Sequence, residues 1–251
     1  IFMIGIKTNK VYPKVIECID ESEERGAIIE FFNIIDELKP SIIGGYNSAN
    51  FDWHWIFERC KILGLDPKKI CKSLHPKHSF TRKDGMLKLA NDVEIFTQTS
   101  IWGYNVIDII HAVRRAQAIN SSIKAAGLKY ITKYINAESP SRVYIDHDNI
   151  GKMFLNKEEY WLNTQNGNYK KANNPAYNDL DSKFPNVYKK ITGDKIVEMY
   201  LDDDLDETLK VDQEFNQGSF LLAAMIPTTY ERVSTMGTAT LWKMLMLAWS
   251  Y

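Results

Sequence analysis

A short apolar segment between an amphipathic helix and a polar turn is the feature that most constrains the fold of this 251-residue chain. Apolar residues recur at helical spacing from Ile28 to Leu38, Lys39-Pro40 ends this predicted helix, and Ser22 is its predicted cap. The next residues, Ile42-Ile43-Gly44-Gly45-Tyr46, predict a short β-strand whose glycines allow close approach of a backbone or a ligand. This order of helix and strand indicates an α/β protein.

The polar residues that follow this strand are candidates for a ligand site. Asn47 and Asp52 come where the strand ends, and ligands of open α/β sheets bind outside the carboxyl ends of strands. An aspartate there can face a metal ion. Asn, Ser and Asp are also common in turns and helix caps, so this pattern alone leaves both interpretations open.

Two ordered motifs favour the ligand site. Gly45-Tyr46-Asn47-Ser48-Ala49-Asn50-Phe51-Asp52-Trp53 resembles the second exonuclease motif of family B DNA polymerases, an Asn, a short gap and Phe-Asp. Tyr200-Leu201-Asp202-Asp203-Asp204 resembles the third, a Tyr and an Asp on a late helix. Apolar residues recur every four positions from Val197 to Leu209, which predicts the packing face of a helix. Tyr200 and Asp204, also four apart, share the face next to it. The resemblance implies an α/β, ribonuclease H-like (DnaQ-like) mixed sheet flanked by helices.

The same resemblance implies two-metal-ion hydrolysis of a DNA 3′ end. Two Mg²⁺ or Mn²⁺ ions about 4 Å apart make water nucleophilic and stabilise the leaving oxygen. By resemblance, Asp204 holds the ion that activates water, Tyr200 positions that water, and Asp52 serves the second ion. Asn47 orients the terminal nucleotide, and Phe51 packs beneath the site. The implied partners are single-stranded DNA at a primer 3′ end and the polymerase domain of the same parent chain.

The family's first motif, Asp-x-Glu, is expected just before a predicted hairpin formed by residues 1–7 and 15–19. Asp92-Val93-Glu94 has this pattern but follows the second motif, so we interpret it as an exposed hairpin edge. We therefore expect an internal fragment that lacks two metal ligands and is nearly inactive by itself. The uncapped apolar helix predicted at residues 239–251 favours the same interpretation.

The motifs also suggest a domain organisation. We predict that residues 1–215 form the exonuclease domain and that residues 216–251 begin a helical connection towards the polymerase palm. Residues 156–193 are rich in Asn, Lys and Tyr and lack sustained periodicity, which indicates an insertion or a long surface connection.

Four features between the motifs have structural interpretations. The basic residues from Lys68 to Lys88 could follow a phosphate backbone, although we favour a solvated loop. Val93–Phe96 and Val106–Ile110 predict paired strands. Asp108 carries no motif, and we interpret it as structural. His111 is interpreted as a packed or capping residue rather than a ligand.

The composition, 45% hydrophobic and 25% charged, fits an ordinary globular domain inside the cell. No run reaches the roughly 18 apolar residues of a membrane span, and three cysteines without paired spacing indicate neither disulfides nor zinc. A net charge of −1 is unusual for a free-standing DNA binder, so local patches or the rest of a polymerase must supply the affinity. We expect no membrane partner and a location at the replication machinery, in the cytoplasm, the nucleoid or a virus-infected host cell.

Two other functions stay open. The chain could be an exonuclease-like module that has lost activity and only holds DNA, which an upstream sequence without Asp-x-Glu would support. It could also be a stand-alone nuclease of the ribonuclease H-like fold, which the coding sequence beyond Tyr251 would distinguish from a polymerase.

Overall fold

The computed structural model describes residues 3–8, 14–18, 20–71, 74, 80–89, 92–177 and 179–250. The strands in these ranges are β1 (Met3–Ile6), β2 (Lys14–Glu17), β3 (Ile42–Gly45), β4 (Phe80–Lys88), β5 (Val93–Ile101), β6 (Asn105–Asp108), β7 (Glu159–Asn163), β8 (Tyr169–Lys171) and β9 (Tyr188–Thr192). The helices are α1 (Glu21–Leu38), α2 (Asp52–Ile62), α3 (Pro67–Ile70), α4 (Ile110–Ile119), α5 (Leu128–Tyr134), α6 (His147–Asn156), α7 (Leu180–Lys183), α8 (Gly193–Phe215), α9 (Gln217–Met225), α10 (Tyr230–Thr235) and α11 (Thr238–Trp249). None of these helices is both long and apolar enough to cross a membrane.

Contacts within the chain define two compact units. Unit 1 contains Ile1–Glu24 and Asn136–Glu207, and unit 2 contains Arg25–Ile135 and Thr208–Tyr251. These units differ from the predicted division at residue 215, which stays a prediction. Helix α8 ends at Phe215, and α9, α10 and α11 follow it in the described residues. The segment after residue 215 is therefore helical, whereas its assignment as a connection to a palm domain stays a prediction.

In unit 1, the antiparallel hairpin β1–β2 confirms the predicted N-terminal strand pair. The turn between them is predicted near residues 8–10, of which 9 and 10 lie outside the described residues. Strand β1 packs closely against α8 at Gly5. A Cβ atom on Gly5 would lie 2.8 Å from the Leu205 side chain and 3.0 Å from that of Leu201. The apolar stripe of α8 is thus a packing face, as predicted.

The segment 156–193 is more ordered than its composition indicated. It forms a three-stranded antiparallel sheet in the order β8-β7-β9. Strand β7 buries Tyr160 and Leu162 in the unit 1 core, together with Phe154, Ile196 and Tyr200. Strand β7 therefore supplies core residues, whereas the interpretation of the whole segment as an insertion or long surface connection stays a prediction.

In unit 2, β3 and β6 form a parallel pair in which Gly45 lies opposite Asp108. The predicted pairing of 93–96 with 106–110 is wrong, because β5 pairs with β4 instead. The favoured loop interpretation is wrong for Arg82–Lys88, which belong to β4, while residues 72–73 and 75–79 lie outside the described residues. Strand β4 is mostly polar and exposed, so its sequence lacks the alternating apolar residues by which a strand is predicted.

Helix α1 matches its predicted extent, with Ile28 and Phe32 fully buried. Its cap is Asp20 rather than the predicted Ser22, because Asp20 Oδ1 accepts the main-chain N–H of Ser22 at 2.8 Å and that of Glu23 at 3.2 Å. A carboxylate in this position satisfies two amides that the first turn leaves without helical acceptors.

Candidate active site

The second-motif residues lie in unit 2, in the turn between β3 and α2. Strand β3 ends at Gly45, one residue before the predicted end at Tyr46. Asn47 adopts a left-handed conformation with φ of 56°, which asparagine tolerates better than most residues. The Phe51 amide donates to the Asn47 carbonyl at 3.1 Å, and the Trp53 amide donates to the Ser48 carbonyl at 2.9 Å. The turn therefore leads directly into α2, where Asp52 is the first residue.

The carboxylate of Asp108 holds this turn in place. Its Oδ1 accepts the amide of Asn47 at 2.8 Å and that of Ile110 at 3.2 Å, and its Oδ2 accepts the amide of Ala49 at 2.9 Å. Burial raises the pKa of Asp108 to about 6, the three amides act in the opposite direction, and the charge of Asp52 adds to the increase. The structural interpretation of Asp108 is confirmed.

Gly45 lets the turn fold back on the end of β3. A Cβ atom at this position would lie 2.5 Å from Ser48 Cβ and 2.8 Å from Ser48 Oγ, closer than atoms can pack without movement. Ser48 is buried, so it has little room to move away. Glycine at position 45 is thus a steric requirement of this turn.

Two aromatic rings project beside Asp52. Phe51 is 58% exposed, and its role of packing beneath the site stays a prediction. Trp55, one helical turn later, is 49% exposed, and its amide donates to the Phe51 carbonyl at 2.9 Å. Residues four apart share a helix face, so the N-terminal end of α2 presents two aromatic surfaces next to an exposed carboxylate.

The third-motif residues lie in unit 1, on α8, around the buried Arg142. Tyr200 and Asp204 both contact this residue, which confirms that they share a face of the helix. Arg142 Nη1 donates to the Tyr200 carbonyl at 3.3 Å, the guanidinium carbon lies 5.0 Å from the centre of the Tyr200 ring, and Nη2 donates to Asp204 Oδ1. The Tyr200 side chain belongs to the unit 1 core.

Two more carboxyl groups of α8 surround Arg142. Its Nε lies 3.0 Å from Glu207 Oε1, an ion pair without hydrogen-bond alignment, and its Nη1 lies 3.5 Å from Asp203 Oδ2. Asp203 Oδ2 also accepts the Val143 amide at 3.0 Å. Burial raises the pKa of Glu207 to about 7, although the charge of Arg142 acts in the opposite direction.

Arg142 is the residue that the sequence analysis missed. It is 2% exposed, although arginine is seldom fully buried without partners. Its backbone packs against the β7–β8 turn, where a Cβ atom on Gly167 would lie 2.2 Å from the Arg142 carbonyl oxygen. The available signal was the run of acidic residues on α8, which indicates a cation partner but does not say which one.

The oxygen ligands at both motifs fit a divalent metal by their chemistry. Mg²⁺ and Mn²⁺ prefer carboxylate oxygens, and the side chains of Asp52 and Asp204 are partly or largely exposed. Asp52 belongs to unit 2, whereas Tyr200 and Asp204 belong to unit 1. Within the described ranges, no group of three or more His, Cys, Asp or Glu side chains could hold a metal ion. The structure therefore describes the two halves of the predicted site separately.

His111 is a packed residue, as predicted. It is buried on α4, and its ring centroid lies 4.3 Å from that of Phe96. Its Nδ1 has no hydrogen-bond partner in the described part of the chain. Burial lowers the pKa of His111 to about 4, and the charges of Arg115 and Arg114 act in the same direction.

Comparison with known proteins assigns the family. Residues 2–131, more than half of the chain, match the model of the DNA polymerase family B exonuclease domain. The chain belongs to this family. The matched residues include the turn from Asn47 to Asp52 and its support, Asp108, which confirms the resemblance carried by the second motif.

Relatives from different organisms are also DNA polymerases. A DNA polymerase of Phaeocystis pouchetii virus is 24% identical over 145 residues, which are 53% of this chain and 13% of that protein. The catalytic subunit of DNA polymerase epsilon from Emericella nidulans is 42% identical over 50 residues, 20% of this chain and 2% of that protein. The chain therefore corresponds to a small part of these relatives.

A solved structure shows the fold. The family B DNA polymerase from the hyperthermophilic archaeon Pyrobaculum calidifontis matches with a TM-score of 0.63 and 18% identity, over 100% of this chain and 26% of that one. This likeness supports the predicted α/β, ribonuclease H-like class. The strands of this chain nevertheless form small separate ladders rather than one continuous mixed sheet in the described ranges.

Proposed function

We propose that this chain is the 3′–5′ proofreading exonuclease part of a family B DNA-directed DNA polymerase, which removes nucleotides from a DNA 3′ end. The observation that carries the proposal is the match of residues 2–131 to the family's exonuclease domain, with the second motif held in a defined turn by Asp108. The third motif adds support, because Tyr200 and Asp204 face one side of α8.

In this proposal Asp52 and Asp204 are the protein ligands of two Mg²⁺ or Mn²⁺ ions. Such ions, when bound, supply a nucleophilic water and stabilise the charge on the leaving oxygen. Tyr200 orients the attacking water through its hydroxyl group, and Asn47 orients the terminal nucleotide. The main chain of the turn keeps Asn47 and Asp52 in fixed positions relative to β3, which limits the entropy lost on substrate binding.

The proposed substrate is single-stranded DNA at a primer end. The exposed rings of Phe51 and Trp55 support this choice, because bases stack on aromatic side chains regardless of sequence. The rest of a larger polymerase would supply most of the phosphate contacts, since this chain has a net charge of −1. The protein would act at the replication machinery, in the cytoplasm, the nucleoid or a virus-infected host cell.

The test uses the polymerase that contains this chain. Asp52→Asn and Asp204→Asn should each reduce Mg²⁺-dependent release of nucleotides from a 3′-labelled single strand by at least about 100-fold, while primer extension continues. Glu58→Gln on α2 and Asp202→Asn on α8 are matched controls, because these carboxylates pair with Lys61 and Lys7. A normal exonuclease rate in either of the first two variants would refute the site assignment.

One observation favours a second candidate, an inactive module that only holds DNA. Asp204, the proposed metal ligand, is paired with the buried Arg142. If this pairing is permanent, the parent polymerase should bind single-stranded DNA and release no nucleotides at any Mg²⁺ or Mn²⁺ concentration. The nuclease assay on the unmodified protein therefore separates the two candidates.

A further inference from the structure

We propose that the Arg142 guanidinium is the resident cation at Asp204 in the metal-free protein and competes there with the divalent ion, while Glu207 keeps Arg142 at the site. The proposal rests on the proposed function, in which Asp204 is a metal ligand. It makes Arg142 and Glu207 positioning residues that determine how tightly the metal binds.

The contacts of the guanidinium support this role. Nη2 donates to Asp204 Oδ1, an oxygen that a metal ion would use. The other nitrogens contact different groups, with Nη1 donating to the Tyr200 carbonyl at 3.3 Å and Nε lying 3.0 Å from Glu207 Oε1. Release of the Asp204 contact alone therefore leaves Arg142 attached to α8 at two points.

The charges explain why metal and guanidinium would compete. Arg142 and Glu207 are almost completely buried, whereas Asp204 is 29% exposed and can be reached from solvent. Two cations on one carboxylate repel each other, and poor screening at a partly buried site strengthens the repulsion. In the absence of metal, Arg142 also removes the cost of leaving a buried Glu207 without a counter-ion.

The surrounding fold restrains Arg142. A Cβ atom on Gly167 would lie 2.2 Å from the Arg142 carbonyl oxygen, and the next amide, that of Val143, donates to Asp203 at 3.0 Å. The backbone therefore has little freedom, and exchange at Asp204 takes place by movement of the long side chain. The β7–β8 turn thus acquires a function as the support of this arginine.

The experiment measures Mn²⁺ affinity of the 251-residue chain by electron paramagnetic resonance. Arg142→Met should bind Mn²⁺ at least about fivefold more tightly than the unmodified chain, a typical coupling between two ligands of one site. Arg142→Met combined with Glu207→Met should show the same gain without changing the net charge. The double variant replaces a buried ion pair by apolar groups, which proteins often tolerate. It therefore replaces the single variant in the measurement if Arg142→Met fails to fold.

Lys7→Met is the matched control. Lys7, the residue after β1, is also a cation that contacts α8, but it pairs with Asp202 at 3.0 Å and Asp206 at 2.6 Å. Its removal should leave Mn²⁺ affinity unchanged, whereas a gain equal to that of Arg142→Met would overturn the proposal in favour of a general charge effect. Addition of Asp204→Asn to the double variant should abolish the gain.

A measurement on the unmodified chain needs no folded variant. Titration with Mg²⁺ should shift the Arg142 Nε–H resonance, and an unchanged resonance at saturation overturns the proposal. Equal Mn²⁺ affinity in the unmodified and Arg142 variants, or no binding in any of them, also overturns it. Binding that depends on Asp204 but not on Arg142 refutes this proposal alone, whereas binding that is indifferent to Asp204→Asn also refutes the proposed role of Asp204.

Discussion

The main-chain amide of Asn47 donates a hydrogen bond of 2.8 Å to the side chain of Asp108, a residue 61 positions away in sequence. This bond joins the end of β3 to the end of its parallel neighbour β6, where Gly45 lies opposite Asp108. The second exonuclease motif is thus held by a carboxylate outside the motif. Four predictions test this site and its surroundings.

Replacement of Asp108 by Asn should loosen the turn. The carboxylate accepts amides from Asn47, Ala49 and Ile110, whereas a carboxamide presents an N–H group towards at least one of them. We expect a loss of about 3 kcal/mol in the free energy of unfolding, measured by urea denaturation. Asp92→Asn is the control, because this exposed carboxylate binds only the adjacent Val93 amide among the hydrogen bonds described. Equal losses in both variants would contradict the proposed support.

Replacement of Gly45 by Ala should be destabilising, because the added Cβ would meet Ser48 Cβ at 2.5 Å. We expect a loss of about 1–3 kcal/mol, typical of overpacking. Gly26→Ala in α1 has nothing within 4 Å of the new atom and should instead stabilise the protein by about 0.5–1 kcal/mol. Thermal unfolding of the two variants should therefore shift in opposite directions, and a stabilising Gly45→Ala would argue against the tight turn.

The buried His111 should make stability decrease in acid. Its pKa is lowered from 6.5 to about 4, so its stabilising contribution is complete above pH 6.5 and disappears as the pH falls towards 4. Asp108 acts in the opposite direction, because its pKa is raised from 3.8 to about 6 and its contribution disappears as the pH rises. Comparison of the unmodified chain with the His111→Leu variant isolates the contribution of the histidine to the pH dependence of stability.

In that comparison, the pH dependence of the unfolding free energy should differ by up to about 1.4 kcal/mol per pH unit between pH 6.5 and 4. Urea titrations at several pH values measure it. His54→Leu serves as the control because His54 is exposed on α2. Parallel pH profiles for the unmodified chain and His111→Leu would show that His111 is not buried as a neutral ring.

Removal of either exposed ring at the start of α2 should weaken binding of single-stranded DNA. We expect Phe51→Ala and Trp55→Ala each to cost about 1–3 kcal/mol of binding free energy, as stacking on an aromatic ring typically does. Fluorescence anisotropy with a labelled oligothymidine measures the affinity in the polymerase that contains this chain. Trp249→Ala on α11 is the control, since this ring is 73% exposed but lies on another helix. Unchanged affinity in both α2 variants would exclude the stacking surface.

Local patterns predicted many elements of the fold. The N-terminal hairpin, the extent of α1, the strand before Asn47 and the packing stripe of α8 all follow from periodicity and from residues that end helices. Two elements were not predicted for the same reason. Strand β4 is largely polar on both faces, and the segment 156–193 contains only a short apolar run, so neither has the period that identifies an element.

The class of the protein could be predicted from local patterns, namely the order and spacing of residues in the turn from Asn47 to Asp52 and in the Tyr200–Asp204 segment. The groups that hold and neutralise these residues are known only from the folded chain. Parallel pairing of β3 with β6 brought Asp108 beneath the turn, and packing within unit 1 brought Arg142 onto α8. Asp108 and Arg142 each lie about 60 positions in sequence from the motif residue that they bind. Which residue becomes the partner therefore depends on chain packing and burial rather than on any pattern along the sequence.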